Sequence, residues 1–81
     1  MSLRDARIAT SEIADLGGWT RQERQRVLRQ LRLLRDHSVN FYMRLNDRNP
    51  RSRASRTRSA ACMSAAAKEL WCIAAGLRRR K

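Results

Sequence analysis

The sequence is poor in the residues that build catalytic and metal-binding sites. Its 81 residues include one histidine, two cysteines and only seven acidic side chains. A zinc site needs three or four protein ligands, and Cys62 and Cys72 lie ten residues apart with no histidine at a fixed local spacing. A nucleophile–base pair of a cysteine with His37 would require tertiary contact. We therefore expect no enzymatic activity, no metal and no cofactor.

Turn-forming residues are also scarce, with three glycines and one proline. A glycine-rich phosphate-binding loop is excluded, because Gly17, Gly18 and Gly76 are the only glycines. The breaks at Gly17-Gly18 and Asn49-Pro50 leave long uninterrupted segments with helical spacing of apolar residues. We predict an all-α fold, a small three-helix bundle in one domain spanning residues 1–81, in which the central second helix is the longest. It is either a monomer or an intertwined homodimer.

Aromatic residues number only four, and none interleaves with basic residues in a ladder. Stacking on the bases of single-stranded nucleic acid is therefore not favoured. Trp19 stands just before a predicted helix, at a staple position opposite Arg24. Trp71 is expected to seal the bundle.

A long hydrophobic run is absent as well. Residues 60–77 approach the length of a membrane span, but Lys68 and Glu69 stand at their centre and alanine contributes little to insertion. We predict no transmembrane segment. The first 16 residues carry charges and no apolar core of a signal peptide, so we expect a cytoplasmic location with reduced cysteines.

The spacing of apolar residues predicts three helices. The first runs over Leu3–Leu16, and a capping box of Thr20 and Glu23 begins the second, which extends from Arg21 to about Asn46. The third runs from about Ser59 to Leu77. The predicted core stripes are Ala6, Ala9, Ile13 and Leu16, then Val27, Leu28, Leu31, Leu34, Ser38, Phe41/Tyr42 and Leu45, then Met63, Ala66, Ala67, Leu70, Ile73, Ala74 and Leu77.

The intervening segment, residues 48–58, alternates arginine with small polar residues. It predicts a flexible basic loop, with the first turn of the third helix as the alternative for its C-terminal half, and residues 78–81 predict a basic C-terminal tail. The first two helices around Gly17-Gly18 only weakly resemble a DNA-binding helix-turn-helix, because Arg24 occupies the position where an apolar residue should pin the second helix. A plain helical hairpin explains the turn as well.

Positive charge is the strongest functional signal. The net charge is +12, and 17 of the 19 basic residues are arginine, whose planar guanidinium pairs well with phosphate and carboxylate. Such an excess indicates an anionic partner. The second helix carries Arg26, Arg29 and Arg44 on the face opposite its core stripe, with Leu33 among them. The candidate binding residues are Arg21, Arg26, Arg29, Arg32, Leu33, Arg44, Arg51, Arg53, Arg56, Arg58, Arg78, Arg79 and Arg80.

Two function classes fit this composition. The first is a small nucleic-acid-binding accessory or regulatory protein that contacts the phosphates of DNA or RNA. The alternative is a phage- or mobile-element-type modulator that binds an acidic surface of a larger host protein and inhibits it. In the second case an apolar residue among arginines, such as Leu33, would be a binding hot spot.

Overall fold

The protein is all-α, with three helices, as the spacing predicts. The computed structural model describes residues 2–80. Helix α1 spans Leu3–Leu16, α2 spans Arg21–Met43 and α3 spans Pro50–Arg80. The prediction for α1 is confirmed at both ends. The prediction that the central helix is the longest is wrong, because α3 has 31 residues and α2 has 23.

The first two helices begin at capping boxes that satisfy N–H groups of their first turns. Ser2 Oγ accepts from the Asp5 amide, and the Asp5 carboxylate accepts from the Ser2 amide at 2.8 Å. Thr20 and Glu23 make the same reciprocal pair at the start of α2. Between the helices Gly17 takes a φ of 62°, in the left-handed region that a residue with a Cβ adopts only at a cost.

Helix α3 begins at Pro50, so the prediction of a flexible loop over residues 48–58 is wrong for residues 50–58. Asn49 acts as an N-cap, since its Oδ1 accepts from the Arg51 amide at 3.0 Å. Pro50 occupies the first helical position, where its missing N–H costs nothing. Asn49-Pro50, expected to mark the end of α2, is instead the start of α3.

The two other boundary corrections are smaller. Helix α2 ends at Met43, three residues before the predicted Asn46, and a short turn over residues 44–46 follows it. Arg78, Arg79 and Arg80 form the last turn of α3 and not a separate tail. The predicted tail residue Lys81 lies outside the described part of the chain.

Helix α3 is the spine of the molecule, and both other helices pack against it. Contacts from Ser59 to His37 and from Glu69 to Arg26 show that α2 and α3 run antiparallel. Helices α1 and α2 barely touch each other, so a groove separates them. A helix-turn-helix unit, in which these two helices pack together, is therefore not formed. The molecule measures 48 × 19 × 14 Å.

The apolar core occupies only one half of this elongated molecule. The predicted stripes of α1 and α3 are confirmed, with Leu16 and Met63 partly buried at their margins. Trp71 packs against this core, as expected. The buried apolar residues are Ala6, Ala9, Ile13, Val27, Leu34, Ala66, Ala67, Leu70, Ile73, Ala74 and Leu77.

The predicted stripe of α2 is only partly right. Val27 and Leu34 are buried, and Leu31 packs at the core margin. Leu28, Tyr42 and Leu45 are exposed, with Leu28 at 55 % of its full accessibility. The reason is that α1 packs on α3 and barely on α2, so the apolar stripe of α2 is wider than the surface available to bury it.

The other half of the α2–α3 pair is held by hydrogen bonds instead of apolar packing. Asn40 Nδ2 donates to Ser55 Oγ at 2.9 Å and to Ser59 Oγ at 2.8 Å. His37 Nδ1 lies 3.3 Å from Ser59 Oγ. Ser52 Oγ donates to the Asp47 carboxylate at 2.7 Å. We call this arrangement the polar seam, and its residues are His37, Asn40, Arg44, Asp47, Ser52, Ser55 and Ser59.

By length and composition alone, α3 is long and apolar enough to cross a membrane. One-third of its most apolar window is buried against the rest of the molecule. Core helices of soluble proteins meet the same criterion, so the finding is weak. The absence of a transmembrane segment stays a prediction.

Candidate nucleic-acid interface

The 12 arginines among the 13 candidate residues divide into two groups when their side-chain partners are considered. Five of the arginines are engaged by other parts of the protein. They are Arg26, Arg44, Arg56, Arg78 and Arg80. Seven are exposed and have no hydrogen bond or ion pair from their side chains within residues 2–80. They are Arg21, Arg29, Arg32, Arg51, Arg53, Arg58 and Arg79.

Three of the engaged arginines bind glutamates and tie the helices together at the apolar half. Arg78 pairs with Glu12 of α1 at 3.0 Å, and Arg80 donates to both carboxylate oxygens of Glu23 at 2.7 and 2.9 Å. Arg26 of α2 pairs with Glu69 of α3, and this contact raises the pKa of the guanidinium. These charges are already compensated, which makes them poor sites for an external anion.

The other two engaged arginines belong to the polar half. Arg44 donates to Asn40 Oδ1 at 2.9 Å and reaches Ser52. Arg56 donates to the Leu45 carbonyl at 2.7 Å and so braces the turn between α2 and α3. Arg44 and Arg26, two of the arginines expected to face a partner, therefore help to hold α2 against α3.

A continuous exposed stripe runs along α2, and its last member, Arg35, also borders the groove between α1 and α2. Its members Arg21, Arg24, Leu28, Arg32 and Arg35 follow one another at intervals of three or four residues and share one helix face. We call these five residues the outer stripe. It covers about 21 Å of helix. Within residues 2–80, Arg35 is the only member that pairs with an acidic side chain, a 3.3 Å contact with Asp36 in which both side chains are largely exposed.

Arg24, Leu28 and Arg35 are not among the binding residues predicted from the sequence. Leu28 was assigned to the core because it follows Val27 in an apolar pattern. Once Leu28 is exposed, the residues at helical spacing on either side of it also face solvent. The signal was present in the sequence, since the 3–4–4–3 spacing of these five residues was as regular as that of the core stripe.

Beside the outer stripe, α2 presents a shallow depression of about 380 Å³. Arg29 and Arg32 border it, Gln25 lies at one end, and Leu28 and Leu33 supply its apolar surface. Leu33 is 37 % exposed, so the expected leucine among arginines is present, but Leu28 is the more accessible of the two. The surface combines arginine and glutamine donors with two apolar contacts.

A second group of unpaired arginines lies on the first three turns of α3. Arg51, Arg53 and Arg58 are exposed, and no acidic residue occurs between Asp47 and Glu69. Cations at a helix N-terminus are unfavourable, because the helix dipole places partial positive charge there. Asp47 offsets part of this charge: it accepts from the Asn49 amide and from Ser52, and these bonds lower the pKa of its carboxyl group.

A depression of about 360 Å³ lies between α2 and α3 at the polar seam. His37 and Cys62, which are 25 residues apart in the sequence, both border it, and Arg58 lies at its edge. Within residues 2–80, no hydrogen bond links the thiol to the imidazole, and His37 contacts Ser59 instead. Both cysteines are free and exposed. No cluster of three or more metal-binding side chains occurs in this part of the chain.

The tryptophan before α2 lies near the outer stripe. Trp19 is 38 % exposed and borders a small depression with Arg21 and Arg24. The predicted proximity of Trp19 to Arg24 is therefore found, although the indole remains accessible.

Comparison of the chain with protein-family models, with curated proteins and with solved structures finds no match. The function of the protein is therefore inferred from the geometry of this chain.

Proposed function

We propose that the protein is a small nucleic-acid-binding accessory or regulatory protein, and that its preferred ligand is double-stranded DNA contacted by the outer stripe of α2. The observation that carries this proposal is the set of unpaired arginines Arg21, Arg24, Arg29 and Arg32 on one exposed helix. Their counter-charges are not supplied by the fold, so an external polyanion is the natural partner.

The acidic side chains of α2 do not compete for this ligand. Glu23 is turned toward Arg80, and Asp36 is in contact with Arg35. The segment from Arg24 to Arg35 contains no acidic residue. A phosphate approaching the outer stripe therefore meets positive charge along about three helical turns.

Helix geometry favours duplex DNA over the other nucleic acids. No other helix covers the outer stripe, and an α-helix fits the major groove of B-DNA, which is about 12 Å wide. The major groove of an A-form RNA helix is too narrow for such an approach. Arginine and glutamine are the side chains that read guanine and adenine edges, and Gln25 lies beside Arg29 and Arg32.

The arginines of α3 support the same proposal by adding phosphate contacts. Arg51, Arg53 and Arg58 lie alongside the C-terminal half of α2, because the two helices are antiparallel. Phosphate binding near the start of α3 would also relieve the unfavourable placement of cations there. These residues would contribute affinity and salt sensitivity more than sequence selectivity.

A titration followed by fluorescence anisotropy tests the proposal. Labelled duplex DNA and a labelled RNA hairpin are compared near physiological salt. We expect binding to duplex DNA with a Kd of about 10⁻⁸ M or tighter, as specific complexes show. Binding of both ligands only in the range of about 10⁻⁴ to 10⁻⁶ M, typical of non-specific attraction, would contradict it.

Matched variants distinguish a site from generic charge. The double variant Arg24→Gln/Arg32→Gln removes two charges from the outer stripe, and Arg4→Gln/Arg7→Gln removes two unpaired charges from α1. We expect the α2 variant to lose at least roughly tenfold in affinity, and the α1 variant to lose clearly less. Equal losses would show that no particular surface is used.

The second candidate is a modulator that binds an acidic surface of a larger protein. The observation that favours it is the exposure of Leu28 and Leu33 among arginines, since hydrophobic anchors with charged surroundings are typical of protein interfaces. If this function holds, Leu28→Ala should abolish capture of the partner, while the α3 arginines should matter little. If the protein binds DNA, loss of the α3 arginines should weaken binding, and Leu28→Ala should matter little.

A further inference from the structure

The groove between α1 and α2 is a second surface, which shares only Arg35 with the outer stripe of the DNA-binding proposal. It has a volume of about 570 Å³ and is open to solvent. The buried side chains of Ala6 and Leu34 form its floor, and the half-buried Leu3 and Leu31 flank them. It exists because α1 and α2 both pack on α3 and barely on each other.

Two of the three hydroxyl groups that line the groove, those of Thr10 and Ser38, are satisfied by the helices that carry them. Thr10 Oγ1 donates to the Ala6 carbonyl at 2.8 Å, and Ser38 Oγ donates to the Arg35 carbonyl at 3.0 Å. Neither hydroxyl offers its proton to a ligand. The floor therefore behaves as an apolar surface, which requires an apolar side on whatever covers it.

Both walls of the groove carry a positive charge. Arg7 on α1 has no side-chain partner within residues 2–80, and Arg35 on α2 is 73 % exposed despite its contact with Asp36. An occupant must therefore combine an apolar face with acidic flanks. A second copy of this chain fits poorly, because its own charge of +12 would set arginine against arginine.

The groove also selects the backbone conformation of its occupant. Its walls are α-helices whose backbone groups are paired internally, so they cannot bond to an extended peptide. A helix, which satisfies its own backbone, meets no such cost. The lining of α1 extends from Leu3 to Ser11, about two helical turns.

From these observations we infer that the groove between α1 and α2 docks an acidic amphipathic helix of a partner protein. Leucine-like side chains at intervals of three and four residues would cover Ala6 and Leu34, and glutamates or aspartates beside them would pair with Arg7 and Arg35. The docked helix would pack beside α1 and α2 and bury the groove floor that α1 leaves open.

The test uses a labelled synthetic peptide of about four helical turns, with leucine at helical spacing and glutamate on both flanks. A shuffled peptide of the same composition and a peptide with lysine in place of glutamate serve as probe controls. We expect saturable anisotropy with the acidic amphipathic peptide and at least roughly tenfold weaker binding of both controls. Equal binding of the shuffled peptide would overturn the inference.

Two groove variants and one matched control locate the site. Arg7→Glu/Arg35→Glu reverses both wall charges, and Ser11→Trp places a bulky side chain at an exposed position in the groove. Both should weaken peptide binding by roughly tenfold or more. Arg51→Glu/Arg53→Glu changes the net charge by the same amount on α3 and should bind the peptide more tightly than Arg7→Glu/Arg35→Glu. Circular dichroism verifies that each variant is folded.

Two results would contradict the inference. The first is equal weakening by the α3 control, which would mean that only net charge matters. The second is a dimer in sedimentation experiments that Ser11→Trp dissociates, which would mean that a second copy fills the groove. The variant Arg24→Gln/Arg32→Gln should still bind the peptide. The DNA-binding proposal can therefore fail in this variant without affecting the inference about the groove.

Discussion

At the scale of single residues, Glu23 connects three parts of the fold. Its Oε1 accepts from the Thr20 amide at 2.9 Å and from Arg80 at 2.7 Å. It thus caps α2 and ties the end of α3 to it. Both contacts lower the pKa of Glu23 below its ordinary value of 4.5, and the hydrogen bond from the Thr20 amide has a larger effect than the Arg80 contact.

The lowered pKa of Glu23 predicts a loss of stability in acid. A carboxyl group with a depressed folded-state pKa contributes stability above its unfolded value, and this contribution is lost as the pH falls through the folded value. We expect the melting temperature of the wild type to fall when the pH is lowered below about 4.5. Glu23→Gln should be less stable at neutral pH and should lose less on acidification.

The exposed carboxylate Asp15 provides the control for this measurement. It makes no hydrogen bond or ion pair with residues 2–80, so Asp15→Asn should follow the wild-type pH profile. If Glu23→Gln also followed it, the contacts of Glu23 would have no role in acid sensitivity.

Asn49 caps α3, so we expect its replacement to lower the free energy of unfolding. Asn49→Ala removes the acceptor for the Arg51 amide and should cost about 1 kcal/mol in the free energy of unfolding. Urea denaturation measures the difference. Asn46→Ala is a matched control in the same turn, since Asn46 is exposed and makes no side-chain hydrogen bond within residues 2–80. Equal costs for the two variants would contradict the capping role.

At the scale of helices, the ends of α1 and the core faces of α1 and α3 were predictable from sequence. Short-range signals determine them: Ser2 with Asp5, glycine after Leu16, and apolar residues at helical spacing. The start of α3 was missed because arginine-rich, polar sequences are also typical of loops. Asn49 as a cap with Pro50 after it was the local signal that favoured a helix.

The outer stripe of α2 shows why the binding face was harder to predict than the fold. Which side of α2 faces the core depends on where α1 and α3 lie, and the sequence does not state that packing. The same holds for Arg26 and Arg44, whose partners Glu69 and Ser52 are distant in the chain. Local spacing identifies an arginine-rich helix, but tertiary contacts determine which arginines remain free.

The polar seam predicts unequal stability along α3. Before Ala66, the only buried residues of this helix are Ser52 and Ser59, whereas Leu70, Ile73 and Leu77 of its second half are buried in the core. Segments with little buried apolar surface open at lower free energy. We expect amide hydrogens of residues 53–62 to exchange faster than those of residues 66–77. Equal protection in a hydrogen-exchange experiment would contradict this view.

DNA binding should change that pattern if α3 contributes phosphate contacts. Protection of residues 53–62 should rise when saturating duplex DNA is present, because ligand binding stabilises the conformation that binds it. The amides of residues 66–77, which the core already protects, provide the internal reference.

At the scale of the whole molecule, the two halves have different tasks. The half that contains α1 holds the apolar core and the glutamate–arginine pairs, and it keeps the bundle together. The surfaces that remain accessible are the outer stripe of α2, the first turns of α3 and the groove beside α1. Whether a homodimer forms stays a prediction.

Acidic and basic side chains differ in how they are used by the fold. Most of the acidic side chains contact residues of this chain, while 11 arginine side chains have no such partner within residues 2–80. An unbalanced surface of this kind predicts fast association with polyanions and strong sensitivity to salt. It is the property on which the DNA-binding proposal depends.

The most direct test of that proposal is the salt dependence of duplex DNA binding for the wild type and the two matched double variants. Each phosphate contact that is lost lowers the slope of log K against log salt by about one unit. Arg24→Gln/Arg32→Gln should therefore reduce the slope by about two units, while Arg4→Gln/Arg7→Gln leaves it close to that of the wild type. If both variants reduced the slope equally, or neither did, the outer stripe of α2 would not be the DNA-binding surface.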